Sequence, residues 1–342
     1  MQYRPFAVVV CALLIALCPQ CFGGEDFDAL RQELDKRRVE LKAPGAIVAV
    51  YRAGQDDFEA VLGLADVEHN LPMSSTCAFR IGSISKVFVG QTVLLLAGEG
   101  KLSLDDPIGR YVDGVPHGDR ITLRHLGNHR SGLFNHIESP EVKRLFAEHP
   151  EKQWSTGDLL RFCITGRTYF EPGENHHYAN GNTVLLALVI EKVTDGAWAD
   201  AVRTRILEPL ELSHTVIPTD NRLPDGHAQG YALGTEEGPF FHRGLKPFRV
   251  TDTSPSWWGP AGSMISTLGD LRKAARPLAT GQLLTPAMRD ELHRWTKADQ
   301  SGYEYGFHME HVRGGMGHDG DVPAAFRRAC ITCPNTTPRS SP

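Results

Sequence analysis

No block of lysine or arginine stands out in the 342-residue chain, and its formal net charge is −5. A mildly acidic chain without a basic stripe lacks the electrostatic footprint of nucleic-acid binding, so no nucleic-acid partner is expected. Cysteine is scarce. Of seven, three (Cys11, Cys18, Cys21) fall in the first 23 residues, and Cys77, Cys163, Cys330 and Cys333 are too scattered for a disulfide scaffold. Cys330-Ile-Thr-Cys333 has redox-motif spacing, but no strand–helix context surrounds it and no second Cys-x-x-Cys completes a zinc site. The chain also lacks His-Glu-x-x-His. The pairs His125/His129 and His176/His177 offer no third or fourth convergent ligand, so they read as structural or surface groups, and neither metal nor cofactor is expected.

Long apolar runs are missing except at the N-terminus. Arg4, the short apolar run Ala7 to Cys18, and small residues before Gly24 read as a signal peptide over 1–23, with a secreted or periplasmic product. The run is too short for a spanning helix, so no transmembrane segment is expected after cleavage. Cys18 and Cys21 fit a lipid-anchor motif poorly, because Leu17 and Gln20 are bulkier than such a motif allows.

What remains is globular: 41% hydrophobic and 23% charged, long enough for one large domain or two small ones. Leu30, Leu34 and Leu41 have helical spacing within Phe27–Leu41. Gly45–Arg52 and Phe58–Ala65 read as a strand pair across a turn at Ala53–Asp56. Helices are expected over Ser83–Glu99, Asn182–Val193, Leu268–Leu278 and Pro286–Trp295. A late hairpin is expected from Tyr303–Glu310 and Arg313–His318 around Gly314-Gly315. Strands at both ends with helices between them give an α+β class: an antiparallel sheet with flanking helices plus a helical lobe.

Three short segments carry chemistry. In Phe79-Arg80-Ile81-Gly82-Ser83-Ile84-Ser85-Lys86, Ser83 opens a helix and Lys86 lies one turn on, so the two share a face. A serine hydroxyl attacks only when a neighbour takes its proton, and a lysine does so only when burial or a cation lowers its pKa. Tyr178 and Asn180, in His177-Tyr178-Ala179-Asn180, present a phenol and an amide in one direction. In Gly317-His318-Asp319-Gly320, His318 and Gly320 face the same way on a strand, and the N–H groups of Asp321 and Ser83 are candidates for an oxyanion hole. Taken singly, the same residues also fit a capping serine with an exposed lysine, a core tyrosine beside a turn asparagine, and an ordinary glycine-rich turn.

Their order removes that ambiguity. Ser-x-x-Lys, then Tyr-x-Asn, then His-x-Gly resembles the serine β-lactamase and penicillin-binding superfamily. Leu102-Ser-Leu-Asp-Asp-Pro-Ile108, Ile121-Thr-Leu-Arg-His-Leu126, Ser131-Gly-Leu133 and Ala261-Gly-Ser-Met-Ile-Ser-Thr267 resemble the branch with class C β-lactamases, a Streptomyces DD-carboxypeptidase, D-aminopeptidases and related esterases. The resemblance runs from about Ala43 to Val322. It implies a Ser83 acyl-enzyme with Lys86 and Tyr178 managing protons, Asn180 positioning substrate, and His318 standing where β-lactamases keep a lysine. It implies a hydrolase domain over 24–323, its sheet drawn from about 24–80 and 255–323 and its helical lobe from about 83–254. The expected partner is a small-molecule or peptide substrate, a cell-wall peptide among the candidates.

Three departures qualify this. His318 points away from β-lactamases toward the carboxypeptidase, aminopeptidase and esterase branch. Asp319, followed by Asp321, replaces a carboxylate-binding threonine and would repel a substrate carboxylate. A substrate lacking that carboxylate is therefore expected: an ester, an amide, or a D-amino peptide read through its amine. Arg130 replaces a small turn hydroxyl. Finally, 22 residues follow Gly320, where the family continues with two strands and a long helix. With Arg327-Arg328, Pro334, Pro338 and Pro342, the 324–342 stretch reads as an irregular tail. That leaves the His318 strand poorly anchored and predicts a destabilised protein of weak or no activity. The alternative within enzymes is a β-lactamase, and the alternative from another class is a non-catalytic or truncated penicillin-binding relative.

Overall fold

The computed structural model describes residues 27–51, 57–233, 247–298, 302–312, 314–322 and 326–332. The expected leader over 1–23 and the Ala53–Asp56 turn lie outside them.

The chain opens with helix α1 (Phe27–Glu40), then strands β1 (Gly45–Val50), β2 (Phe58–Asp66) and β3 (Leu71–Pro72), which form an antiparallel sheet in that order. Phe27, Leu30 and Leu34 lay the apolar stripe of α1 over Ala46, Val48, Phe58, Ala60 and Leu62. Leu41 falls beyond the helix and is exposed. After β4 (Phe79–Arg80), a single 3₁₀ turn over Gly82–Ile84 leads into α2 (Ser85–Gly98).

α2 is apolar nearly all round. Val87, Phe88, Val89, Val93, Leu94 and Leu96 are all buried, as expected of a helix at the centre of a core rather than on a surface. Around it follow α3 (Leu123–Gly127), α4 (Pro140–Glu148), α5 (Thr156–Cys163), α6 (Asn180–Thr194) and α7 (Trp198–Val202). Val184, Leu185, Leu186, Val189 and Ile190 on α6 belong to the same hydrophobic cluster as α2.

The second half brings β5 (Tyr231–Leu233), β6 (Pro247–Arg249), β7 (Ile265–Ser266, paired with β4), α8 (Leu268–Thr280) and α9 (Pro286–Leu292). A second antiparallel sheet closes the chain, from β8 (Thr296–Lys297), β9 (Glu304–Tyr305), β10 (Glu310–Val312), β11 (Gly315–Val322) and β12 (Phe326–Thr332), in the order β12-β11-β10-β9-β8. Among the described residues no helix is long and apolar enough to cross a membrane.

Two expectations need correction. Tyr303–Glu310 is not one strand. It turns between β9 and β10, where Phe307 packs against Gly127 and the His308 N–H donates to the Gly127 carbonyl at 2.8 Å. The 324–342 stretch is not irregular throughout either. Phe326–Thr332 forms β12, paired with β11 from Val322↔Phe326 to Met316↔Thr332. Its aromatic, cysteine and β-branched residues suit a strand, its register puts Arg327 opposite Asp321, and Pro334 lies beyond its end. The strand bearing His318 is thus held on both sides, by β10 and by β12.

β11 also presses on the turn that carries Ser83. A Cβ on Gly320 would stand 2.2 Å from the Ile81 carbonyl oxygen, and one on Gly82 would stand 3.0 Å from Asp321 N. Gly82 has a φ of +53°, which costs a side-chain-bearing residue strain. We predict that Gly320→Ala forces these backbones apart and costs about 1–3 kcal/mol, as overpacking does. A lowered midpoint in chemical denaturation at unchanged slope checks this.

Candidate active site

Ser83 lies in the 3₁₀ turn ahead of α2 and is partly exposed, and no side chain caps that turn. Ser83 is therefore free of the capping role that the pattern alone allowed. Lys86, in the first turn of α2, is fully buried. Its Nζ has three oxygen partners: Ser83 Oγ at 2.9 Å, Asn180 Oδ1 at 2.8 Å and the Ala261 carbonyl at 2.7 Å. Burial in the apolar centre brings the ammonium down from 10.5 to about 7, and the negative charges of Asp319 and Glu310 oppose that fall.

Tyr178 sits in the loop before α6 and Asn180 begins that helix. The Lys86 Nζ lies 4.9 Å from the Tyr178 ring centre. Burial holds the Tyr178 phenol well above its usual range, while its hydrogen bond with Ser83 acts the other way. The phenol is therefore protonated at neutral pH.

A polar scaffold fixes these groups from behind. Asn135 Oδ1 accepts from the Asn180 backbone N–H at 3.2 Å and from its side-chain amide at 3.4 Å. Ser131 donates to Asn182 Oδ1 at 2.7 Å, and the Asn182 amide meets His129 Nδ1 at 2.9 Å. The His129 ring stacks at 4.4 Å on Tyr178, and burial, then His308 and Lys86, keep it neutral. Arg130 turns outward and donates to the carbonyls of Gly173, at 2.8 Å, and Glu174. Its bulk stays out of the cleft.

β11 forms the facing wall. The His318 side chain is wholly buried, with Nε2 2.9 Å from the Tyr305 hydroxyl and its ring centre 6.1 Å from that of Tyr178. His318 and Gly320 point inward, as the strand period requires, and Asp319 and Asp321 point outward and are exposed. Beside them Glu310 of β10 accepts from the Tyr303 hydroxyl at 3.1 Å and from the Asp319 N–H at 3.3 Å. Burial pushes its carboxyl up to about 7.

The structure thus gathers Ser83, Lys86, Tyr178 and Asn180 into one group, with Gly320 and Asp321 laid across the Ser83 turn and His318 buried on the inward face of β11. Four groups escaped the sequence reading: Asn135, the Ala261 carbonyl, Tyr305 and Glu310. Asn135 and Ala261 lie beside segments noticed for other reasons, Ser131–Leu133 and Ala261–Thr267. Glu310 was placed at a strand end, and nothing local marks its side chain as buried.

Known proteins are similar to this chain in sequence and fold. The Beta-lactamase family model matches residues 27–336. A D-stereospecific amidohydrolase from a Streptomyces species superposes with a TM-score of 0.77 at 30% identity, over 87% of this chain and 88% of that one. D-amino acid amidase from Ochrobactrum anthropi gives a TM-score of 0.75 at 25% identity, over 87% and 86%. Teichoic acid D-alanine hydrolase of Staphylococcus aureus is 28% identical over 265 residues, 77% of this chain. A Beta-lactamase of Escherichia coli is 28% identical over 241 residues, 69% of this chain. The chain spans only 62% and 60% of the length of those two relatives. With a family match over nearly the whole chain, and relatives that are hydrolases of the same fold, this chain belongs to the Beta-lactamase family of serine hydrolases.

Proposed function

We propose that this chain is a secreted or periplasmic serine hydrolase that forms an acyl-enzyme on Ser83 and acts on amides or esters of D-amino acids bearing a free amine. The observation that carries the reading is Lys86: an amine held near neutrality by burial, 2.9 Å from the Ser83 hydroxyl. The proposed location rests on the leader pattern over 1–23.

The geometry supports a division of labour. Neutral Lys86 takes the Ser83 proton as Oγ attacks the substrate carbonyl, while the Asn180 and Ala261 oxygens hold the new ammonium. The Ser83 and Asp321 N–H groups would receive the oxyanion. Tyr178, protonated at neutral pH, donates to the leaving nitrogen or oxygen, and the proton that Lys86 took from Ser83 then passes to the Tyr178 phenolate, which restores both groups. Water then enters by the reverse route and frees the acid. Asn135 and His129 position Asn180 and Tyr178 without touching substrate.

The acidic groups near the site argue for the substrate class. Asp319 and Glu310, whose charges reach Lys86, would repel a terminal carboxylate and attract an ammonium. Two solved relatives are named as acting on D-amino-acid amides or as D-stereospecific. A β-lactamase activity is the second reading, favoured by the Escherichia coli relative and disfavoured by His318 in place of lysine. A third reading is a binding relative without turnover.

Incubation with a labelled penicillin and with an activated ester should give an adduct, found by intact mass and mapped to Ser83, that decays on standing. A folded sample with no adduct would favour the binding relative. The acylation rate should rise with pH as Lys86 loses its proton, with a midpoint near about 7. Lys86→Ala should remove that rise and slow acylation by about 10²–10⁴. A D-Ala-D-Ala peptide should be turned over more slowly than its C-terminal amide, and equal rates would sink the carboxylate-repulsion argument.

A further inference from the structure

We propose that Glu138, at the protein surface, is a positioning residue for the Ser83 reaction: through Asn135 and Asn180 it fixes the direction of the hydrogen bonds that end on Lys86. The proposal rests on the reading of Lys86 as the base that activates Ser83. Asn135 precedes, and Glu138 ends, a single 3₁₀ turn over His136–Glu138, and the Glu138 N–H donates to the Asn135 carbonyl at 2.9 Å. Side chains three apart in such a turn fall on one face. Asn135 Nδ2 accordingly donates to Glu138 Oε1 at 3.1 Å. The Tyr169 hydroxyl donates to the other oxygen, Oε2, at 2.9 Å. The Glu138 side chain is 45% exposed, whereas Asn135, Asn180 and Lys86 are buried.

The chain of bonds has one direction. An asparagine amide offers an acceptor on one side and donors on the other, and its partners decide which way it faces. At one end the Lys86 ammonium and the Asn180 backbone N–H can only donate, and at the other the Glu138 carboxylate can only accept. Lys86 Nζ donates to Asn180 Oδ1 at 2.8 Å, Asn180 Nδ2 to Asn135 Oδ1 at 3.4 Å, and Asn135 Nδ2 to Glu138. The Asn180 N–H adds a second bond to Asn135 Oδ1 at 3.2 Å. A flipped Asn135 would set its amide group against that N–H and its oxygen against the carboxylate. Removing the carboxylate lifts the second penalty, and Asn180 then loses the partner that keeps its Oδ1 on Lys86. An Asn180 amide turned the other way presents a donor to the ammonium and disfavours the charged form.

Charged and titratable groups surround both ends of this chain of bonds. Lys86 faces the Tyr178 ring, and the negative charges of Asp319 and Glu310 act on it. Burial keeps the neighbouring His129, His136, His308 and His318 below their usual range. Glu138 faces Tyr169 and His177, whose Nε2 stands 3.6 Å from Oε1 and whose ring centre lies 3.8 Å from that of Tyr169. Substitutions at Glu138 leave all of these residues in place, so a change at Lys86 reports what reaches it from Glu138.

The test follows Lys86 directly, by NMR of the full-length protein labelled at lysine Cε and Nζ, with the Lys86 signal assigned by its loss in Lys86→Ala. The parent, Glu138→Ala, Glu138→Gln and the control Glu141→Ala, which removes an exposed glutamate on α4, are titrated and then acylated with a neutral activated ester. Glu138→Ala should move the Lys86 midpoint to lower pH by about 0.5 or more and slow acylation by about tenfold or more. Glu138→Gln keeps an acceptor oxygen for Asn135 Nδ2, and should return the midpoint to that of the parent and the rate to within about threefold. Glu141→Ala should leave both unchanged. Thermal unfolding shows that the variants are folded. An unchanged Lys86 midpoint in Glu138→Ala overturns the proposal. So does a Glu138→Gln that behaves as Glu138→Ala, because charge alone then explains the effect. A Glu138→Ala that only raises the KM for an amine-bearing substrate places Glu138 on the substrate and overturns it too. A Lys86 that responds to Glu138 as expected, in a protein that no ester acylates, would refute the hydrolase reading and leave the chain of bonds standing.

Discussion

One buried amine organises this protein. Lys86 lies in the first turn of a helix whose other residues are almost all apolar, and among the described residues it reaches no carboxylate directly. A charge in such a place is costly, and the cost falls on the ammonium form. The fold tolerates it by offering three oxygens, one from each of three segments: the Ser83 turn, the start of α6 and the Gly259–Ala261 turn. Their convergence ties the helical lobe to the Ser83 turn, while burial in the apolar centre lowers the proton affinity of the amine.

The remaining polar network keeps that arrangement rigid. Asn135 holds Asn180, Asn182 holds His129, and His129 backs Tyr178, so each group near Ser83 rests on a second one deeper in the core. On the other wall, the strand bearing His318 crosses the Ile81–Ser83 turn at backbone distance, which only glycines at 82 and 320 permit without displacement. β12 completes the support of that strand. Its hydrogen bonds keep β11 from being an edge.

Much of this was legible beforehand. The helical face shared by Ser83 and Lys86, the pairing of Tyr178 with Asn180 and the inward-facing His318 and Gly320 all follow from local period, and their order along the chain named the family. The α1 stripe and the β1–β2 pair were legible for the same reason. Misreadings arose where local signals competed. Prolines at 334, 338 and 342 and the Arg327-Arg328 pair masked the strand Phe326–Thr332, and the strand-like alternation of Tyr303, Tyr305, Phe307 and Met309 hid the turn that Phe307 makes to reach Gly127.

The sequence by itself determined which groups are chemically able to act, because a helical turn brings residues three apart together whatever surrounds them. It also determined that Asp319 and Asp321 project from the wall opposite to His318, because strand period is fixed by backbone geometry. Only the tertiary structure decided how those groups behave. The pKa of Lys86 depends on an apolar shell drawn from the whole chain, and the outward turn of Arg130 depends on carbonyls some 40 residues away. The raised carboxyl of Glu310 depends on how β10 and β11 are buried together. Burial is a property of packing, and no window of sequence contains it.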